Sequence, residues 1–249
     1  MKKISNIIVA FNALVFILVF SKYEGVKNNI QPQSKVENKV SIQNNSSIKL
    51  LISNIAVNEA PPVKPDYTII DAKLTLEKLY TTISDLENDS DIIIEGIVRK
   101  NNYSMYFGIP ITISRVEVLD IYKNNEAAIS KGETVNILEG GGIMSKESVI
   151  KMFKDKFPDK PLDEEKIKPM KYTNDGIPTL EPEEHVLIFA QKYNGPATNL
   201  VCYSVLGAYQ GKFKITNNEI IHLVPTDIQI QFKDKVKTKQ ELIDKLKDK

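Results

Sequence analysis

Hydrophobic and polar positions change their rhythm several times along the chain, and each change marks a segment. Ile7 to Phe20, "IIVAFNALVFILVF", is almost uniformly apolar and follows Lys2 and Lys3. A basic start before an apolar run of this length predicts an export signal over residues 1–21. It is either cleaved after Ser21 or kept as a membrane anchor through residues 4–20. Residues 22–66 carry no apolar period. They are rich in Asn, Gln, Ser and Lys and close on "APPVKP", the composition of a tether with too few apolar side chains to offset the entropy of ordering. Within it, "IKLLISNIAV", Ile48 to Val57, reads as a short strand or helix.

A folded pattern begins near Tyr67. In "TLEKLYTTISDLENDSD" Leu76, Leu79, Tyr80, Ile83 and Leu86 recur at helical spacing, which predicts a helix with Thr75 as N-cap. "DIIIEGIVR", Asp91 to Arg99, predicts a buried strand interrupted by Gly96. "IPITISRVEVLDIYK" predicts a longer one, and its apolar positions change parity between Ile113 and Val116, placing a bulge near Ser114–Arg115. "ETVNILE" is a third strand. Residues 143–183 break the pattern. A helix over Ser145 to Phe157 places Val149, Ile150, Phe153 and Phe157 on one face, and Pro158, Pro161, Pro169, Pro178 and Pro182 follow among many charges. This stretch reads as an insertion or long loop. Strands resume at "EHVLIFAQKY" and "LVCYSVLGAYQ", then "KFKI" and "EIIHLV" form a hairpin around Asn217–Asn218. Residues 233–249 predict a charged C-terminal helix, with Thr238 and Glu241 as a capping box and Leu242, Ile243 and Leu246 as an apolar stripe.

About six strands joined mainly by short turns predict a mainly β domain over residues 67–232, a small closed or nearly closed antiparallel barrel with a leading helix. The succession "TLEKLYTTISDLENDSDIIIEGIV", "ITISRVEVLDIYK", "VNILEGGG", "EEHVLIFAQKY" and "GAYQGKFKI" resembles a family of uncharacterised exported proteins of spore-forming and related bacteria. The resemblance covers Leu74 to Val224 without the insertion. It departs at Glu183-Glu184-His185, where the family has a glycine before the next strand. It implies an OB-like barrel and brings no catalytic residues with it.

Charge and composition narrow the function classes. The 33 basic and 32 acidic residues leave a net charge of +1, so no global field favours nucleic acid. Trp is absent, which removes the strongest stacking platform for bases or sugars. The single cysteine, Cys202, leaves no internal disulfide, so the core must hold the fold.

Chemical motifs are sparse. Gly140-Gly141-Gly142 lies between a strand and a helix, as in phosphate-binding loops, but no Gly-Lys-Ser/Thr follows. The third glycine of Gly-x-Gly-x-x-Gly is replaced by Ser145. The triplet therefore reads as a backbone bend. His185 and His222 lack the spacing and partners of a metal site. The acidic run Asp85, Glu87, Asp89, Asp91 and Glu95 places Ser90 and Gly96 where a calcium loop needs Gly and Glu. Lysines in the insertion and tail are interleaved with acids, as on a solvated face. No catalytic, cofactor-binding or metal residue is assigned. The expected function is that of an exported or envelope-associated binding module, without catalytic activity, for an envelope or protein partner, with the insertion as its recognition element. The alternative is an extracytoplasmic hydrolase using Cys202 with His185 or His222.

Overall fold

The computed structural model describes residues 66–125 and 129–247. The leader over 1–21, the tether up to Pro65 and the segment Ile48 to Val57 lie outside the described residues. Among the described residues no helix is long and apolar enough to cross a membrane.

The fold is mainly β and is organised by one long antiparallel hairpin. Its arms are β2 (Ile92–Tyr106) and β3 (Ile109–Asn124). The turn is Phe107–Gly108, with φ of 47° and 78°, the paired left-handed conformations that let a two-residue loop follow the strand twist. β2 thus runs seven residues beyond Arg99, the expected end. Polar residues Lys100 to Ser104 conceal this extension, and a phenylalanine at a left-handed position is not a turn signal.

The predicted bulge is displaced to the neighbouring strand. β3 pairs with β4 (Thr134–Gly140) in unbroken register through Ser114 and Arg115. The irregularity falls on β2, where Arg99 is the extra residue between the pairs Val98–Val116 and Lys100–Arg115. The parity change in β3 has another cause. Both faces of that strand are covered, Ile111 and Ile113 on one side and Val116 and Val118 on the other.

After β4 come β5 (Gly142–Met144), α2 (Lys146–Lys156), a 3₁₀ turn (Glu164–Lys166) and β6 (Met170–Asn174), all preceded in the chain by β1 (Thr68–Ala72) and α1 (Ile83–Asp89). β7 (His185–Lys192), β8 (Tyr203–Val205), β9 (Lys212–Thr216), β10 (Glu219–His222), α3 (Thr226–Gln231) and α4 (Lys239–Lys247) complete the order. The large sheet runs β10-β9-β7-β2-β3-β4-β8, and β8 pairs with β7 as well as β4. The sheet is therefore partly ring-closed. Ile94, Val98, Val116, Ile137, Val186 and Ile188 form the core shared by the ring strands. On the opposite face Ile93, Leu187, Phe189 and Phe213 pack against Ile83 and Leu86 of α1 and Leu242 of α4.

Three further expectations differ from the structure. The leading helix starts at Ile83, and its N-cap is Thr82, not Thr75. The Thr82 hydroxyl accepts from the Asp85 N–H at 3.0 Å, and the Asp85 carboxylate accepts from the Thr82 N–H at 3.1 Å. This reciprocal box outcompetes the earlier site because Thr75 offers no such acid three residues on. The stretch "LVCYSVLGAYQ" supplies only the three-residue β8, since Gly207 and Ala208 turn at φ of 56° and 62°. Residues 143–183 are not a loop. β5 and β6 join β1 in a second, three-stranded sheet, with Met144, Val149, Met170 and Tyr172 as its core. The helix at 146–156, the Asn217–Asn218 turn and the 238–241 capping box are as expected.

Candidate functional site

Each residue singled out in the sequence has its own surroundings. His185, at the start of β7, faces Glu95 of β2 with Nε2 2.7 Å from Oε1. Lys239, the first residue of α4, reaches the same carboxylate at 3.0 and 3.1 Å, and Tyr122 of β3 donates to it at 2.7 Å. Glu95 is 4% exposed. Burial pushes its carboxyl up, but the bonds from Tyr122, Lys239 and His185 outweigh that and hold it below its ordinary value. An ionised carboxylate only accepts, so His185 Nε2 carries the proton in this bond. Both Glu95 oxygens are occupied. The cluster ties α4 to the sheet and leaves no acceptor for a reacting group.

His222 is enclosed differently. Its ring stacks on Phe213 at 4.2 Å between centroids and meets the edge of Phe232 at 4.5 Å. Nε2 donates to the Gln210 carbonyl at 2.7 Å, while Nδ1 is buried without a partner. Burial lowers its pKa from 6.5 to about 4, against the opposing pull of the Gln210 carbonyl. Between those values the unfolded chain takes up a proton that the folded chain refuses. The stabilising contribution is complete above pH 6.5 and is lost as pH falls toward 4. Its full size is about 3 kcal/mol. Urea unfolding at pH 7 and pH 4.5 should show a smaller acid loss in His222→Phe than in the wild type; equal losses would exclude the buried neutral imidazole.

Cys202 is 1% exposed and packs with Ile111, Ile113 and Leu138. Burial pushes its thiol up, which opposes thiolate formation. The structure gives Cys202, His185 and His222 three different sets of partners and assembles no Cys–His pair.

The acidic run is also dispersed. Asp85 caps α1, Asp89 accepts from Lys78 at 2.6 Å and Tyr80 at 2.9 Å, and Asp91 accepts from the Lys192 N–H at 2.7 Å. Among the described residues no group of three or more His, Cys, Asp or Glu side chains is placed to hold a metal. The glycine triplet is a bend: Gly141 N–H donates to the Pro110 carbonyl at 2.8 Å and Gly142 opens β5.

The sequence reading missed an ion pair of large consequence. Glu139 of β4 and Lys212 of β9 meet at 2.7 Å, each side chain 2% exposed. Lys212 also donates to the Pro178 carbonyl at 2.7 Å, and Glu139 accepts from the Leu180 N–H at 2.8 Å. The pair fastens the chain returning from β6 across the large sheet.

The hairpin tip and the β7–β8 loop form a surface that the spacing of apolar positions does not announce. At the tip of the β2–β3 hairpin Phe107 is 79% exposed and lies edge-on to Tyr106 at 4.7 Å. Tyr106 packs with Tyr193 and Ala197 over Ile111, Ile113, Leu138 and Cys202. Tyr193 accepts from the Ala197 N–H at 3.0 Å, which folds the β7–β8 loop onto this cluster. From that loop Leu200 and Val201 stand 54% and 74% exposed. No Asp or Glu occurs between Gly96 and Val116 or between His185 and Asn218, so the rim carries aromatic, aliphatic and amide groups without acids. "NNYSMYFG" and "YNGPATNLVC" share the Tyr, Asn, Ser and Gly usage of adaptable contact loops, and that composition was the available signal. The insertion, by contrast, turns Met144, Val149 and Met170 into its own core.

Compared with protein-family models, with curated proteins and with solved structures, the chain matches none.

Proposed function

We propose that the chain is an exported or envelope-associated binding module, built on an OB-like barrel and without catalytic activity, that holds its partner at the rim formed by the hairpin tip and the β7–β8 loop. The barrel reading is supported by the ring β2-β3-β4-β8-β7, which closes on β2. In OB barrels the face of the second and third strands and the loops joining strands one to two and four to five carry the ligand. Counted around this ring in chain order, those parts are β3 and β4, Phe107–Gly108, and the loop Tyr193 to Cys202. Tyr106 beside the hairpin turn, Ile111, Ile113 and Leu138 of β3 and β4, and Tyr193, Ala197 and Cys202 of the loop share one apolar cluster. The correspondence is one of fold, and the site's own chemistry has to carry the function. The export component rests on Lys2, Lys3 and the apolar run Ile7 to Phe20.

The observation that carries this reading is the exposure of Phe107, Leu200 and Val201 on two segments whose neighbouring residues Tyr106, Tyr193, Ala197 and Cys202 share one apolar cluster. Exposed apolar side chains grouped on one surface mark an interaction site. Capture of the partner from envelope extracts should fall roughly thirtyfold in the double variant Phe107→Ser, Val201→Ser, corresponding to about 2 kcal/mol of lost contact. Because both side chains face solvent, the melting temperature should stay near that of the wild type. Undiminished capture by this folded variant would refute the rim as the contact surface.

A further inference from the structure

A concavity lies between the segment after β1 and the start of α3, and shares no residue with the rim. Its volume is about 430 Å³, within the range of roughly 300–1,000 Å³ common to small-molecule sites. Its apolar lining is Leu74, Leu76 and Leu79 from the segment after β1, with Pro225 and Ile228 from the start of α3. Leu76 and Leu79 are two of the residues whose spacing predicts a helix. Because the helix begins only at Ile83, they line the groove instead of packing under α1. Leu79 remains 36% exposed, whereas Ile228 is 8% exposed.

The polar lining of the groove is Lys73, Asp175, Tyr209 and Asp227, two carboxylates against one ammonium. Asp175 sits there with its carboxylate accepting from the Tyr209 hydroxyl at 3.1 Å and the Leu74 N–H at 3.3 Å. Lys73 is drawn to Asp71 at 3.1 Å and to Asp175 at 3.5 Å, so its charge is already engaged. Asp227, in the first turn of α3, lies on the same groove. Its carboxylate and that of Asp175 both act on Tyr209, whose hydroxyl burial and these charges push up. Among the described residues no lysine or arginine is paired with Asp227. Lys73 lines the groove but is bridged to Asp71 and Asp175, which leaves Asp227 as the lining carboxylate without a paired cation. With the leucines beside it, this complements a ligand with an apolar chain and a positive head.

We propose that this groove binds a small organic cation of the primary alkylamine type, its chain along Leu74, Leu76, Leu79 and Ile228 and its ammonium at Asp227. The apolar wall sets affinity through chain length, and Asp227 sets the preference for a positive head. Asp227 is exposed, so its charge contributes modestly, while each methylene buried against the leucines contributes more.

The test is a methyl-resolved NMR titration of the full chain with hexylamine, octylamine, hexanol and hexanoate. Hexylamine should give saturable shifts at the Leu74, Leu76, Leu79 and Ile228 methyls. Octylamine should bind roughly tenfold more tightly, from two further buried methylenes. Hexanol should bind about threefold more weakly than hexylamine, and hexanoate more weakly still. Asp227→Asn, with an otherwise unchanged methyl spectrum, should abolish the preference for hexylamine over hexanol and leave hexanol binding intact. Equal binding of amine and carboxylate, shifts centred on Leu200 and Val201, or an amine preference that survives Asp227→Asn would each overturn the proposal.

Discussion

Replacing Gly142 by valine is expected to remove a large part of the domain's stability, while Gly140→Ala should be tolerated. Gly142 has φ of 119°, and a Cβ built there would lie 2.1 Å from Thr112 Oγ1 and 3.0 Å from Tyr103 Cδ1. Thr112 is fully buried and its hydroxyl donates to the Gly141 carbonyl at 2.9 Å, so it cannot swing aside without losing that bond. Strain at a positive φ and overpacking cost about 1–3 kcal/mol each, giving roughly 3–5 kcal/mol together. That is a large fraction of the roughly 5–15 kcal/mol that holds a domain folded. Gly140 is different, since the nearest atom to its Cβ would be Asn174 Nδ2 at 3.7 Å. Urea midpoints of the two variants measure the contrast. A wild-type midpoint for Gly142→Val would mean that the turn into β5 is not built as described.

A comparable loss is expected from Lys212→Met. The substitution leaves the Glu139 carboxylate 2% exposed with no cation beside it. Breaking a buried pair from one side costs about 3–5 kcal/mol, because the remaining charge stays out of water. The double variant Glu139→Leu, Lys212→Met removes that charge and should recover part of the loss. Full recovery is not expected, since the Pro178 carbonyl and the Leu180 N–H would lose their partners. A double-mutant cycle in urea should therefore be strongly non-additive. Additive losses would show that the two side chains are not coupled in the fold.

These two sites illustrate what the sequence discloses. The glycine triplet is legible as a bend because phosphate-binding loops need residues that are missing here. Which glycine is indispensable depends on Thr112 and Tyr103, which reach it from β3 and β2. The helix at 146–156, the Asn217–Asn218 hairpin and the helix after Thr238 are local structures whose caps and periods lie within a few residues. Glu139 and Lys212 are 73 positions apart, and Lys239 is 144 positions from Glu95. No local spacing announces such partners. Two local signals also mislead. The leucines after Thr75 have a helical period, but the Thr82–Asp85 box starts the helix later. The polar run Lys100 to Ser104 hides a strand whose hydrogen bonds come from β3. The hairpin tip, and with it the rim, follows from that extension.

Phe107 is expected to meet a partner outside the cytoplasm. A photoreactive phenylalanine analogue placed at position 107 in living cells tests this most directly, with position 151 on the exposed side of α2 as the control. Irradiation followed by fractionation should yield a discrete adduct from position 107 in the envelope or extracellular fraction, and none from position 151. Adducts from position 151 alone, or adducts from position 107 confined to the cytoplasmic fraction, would contradict it.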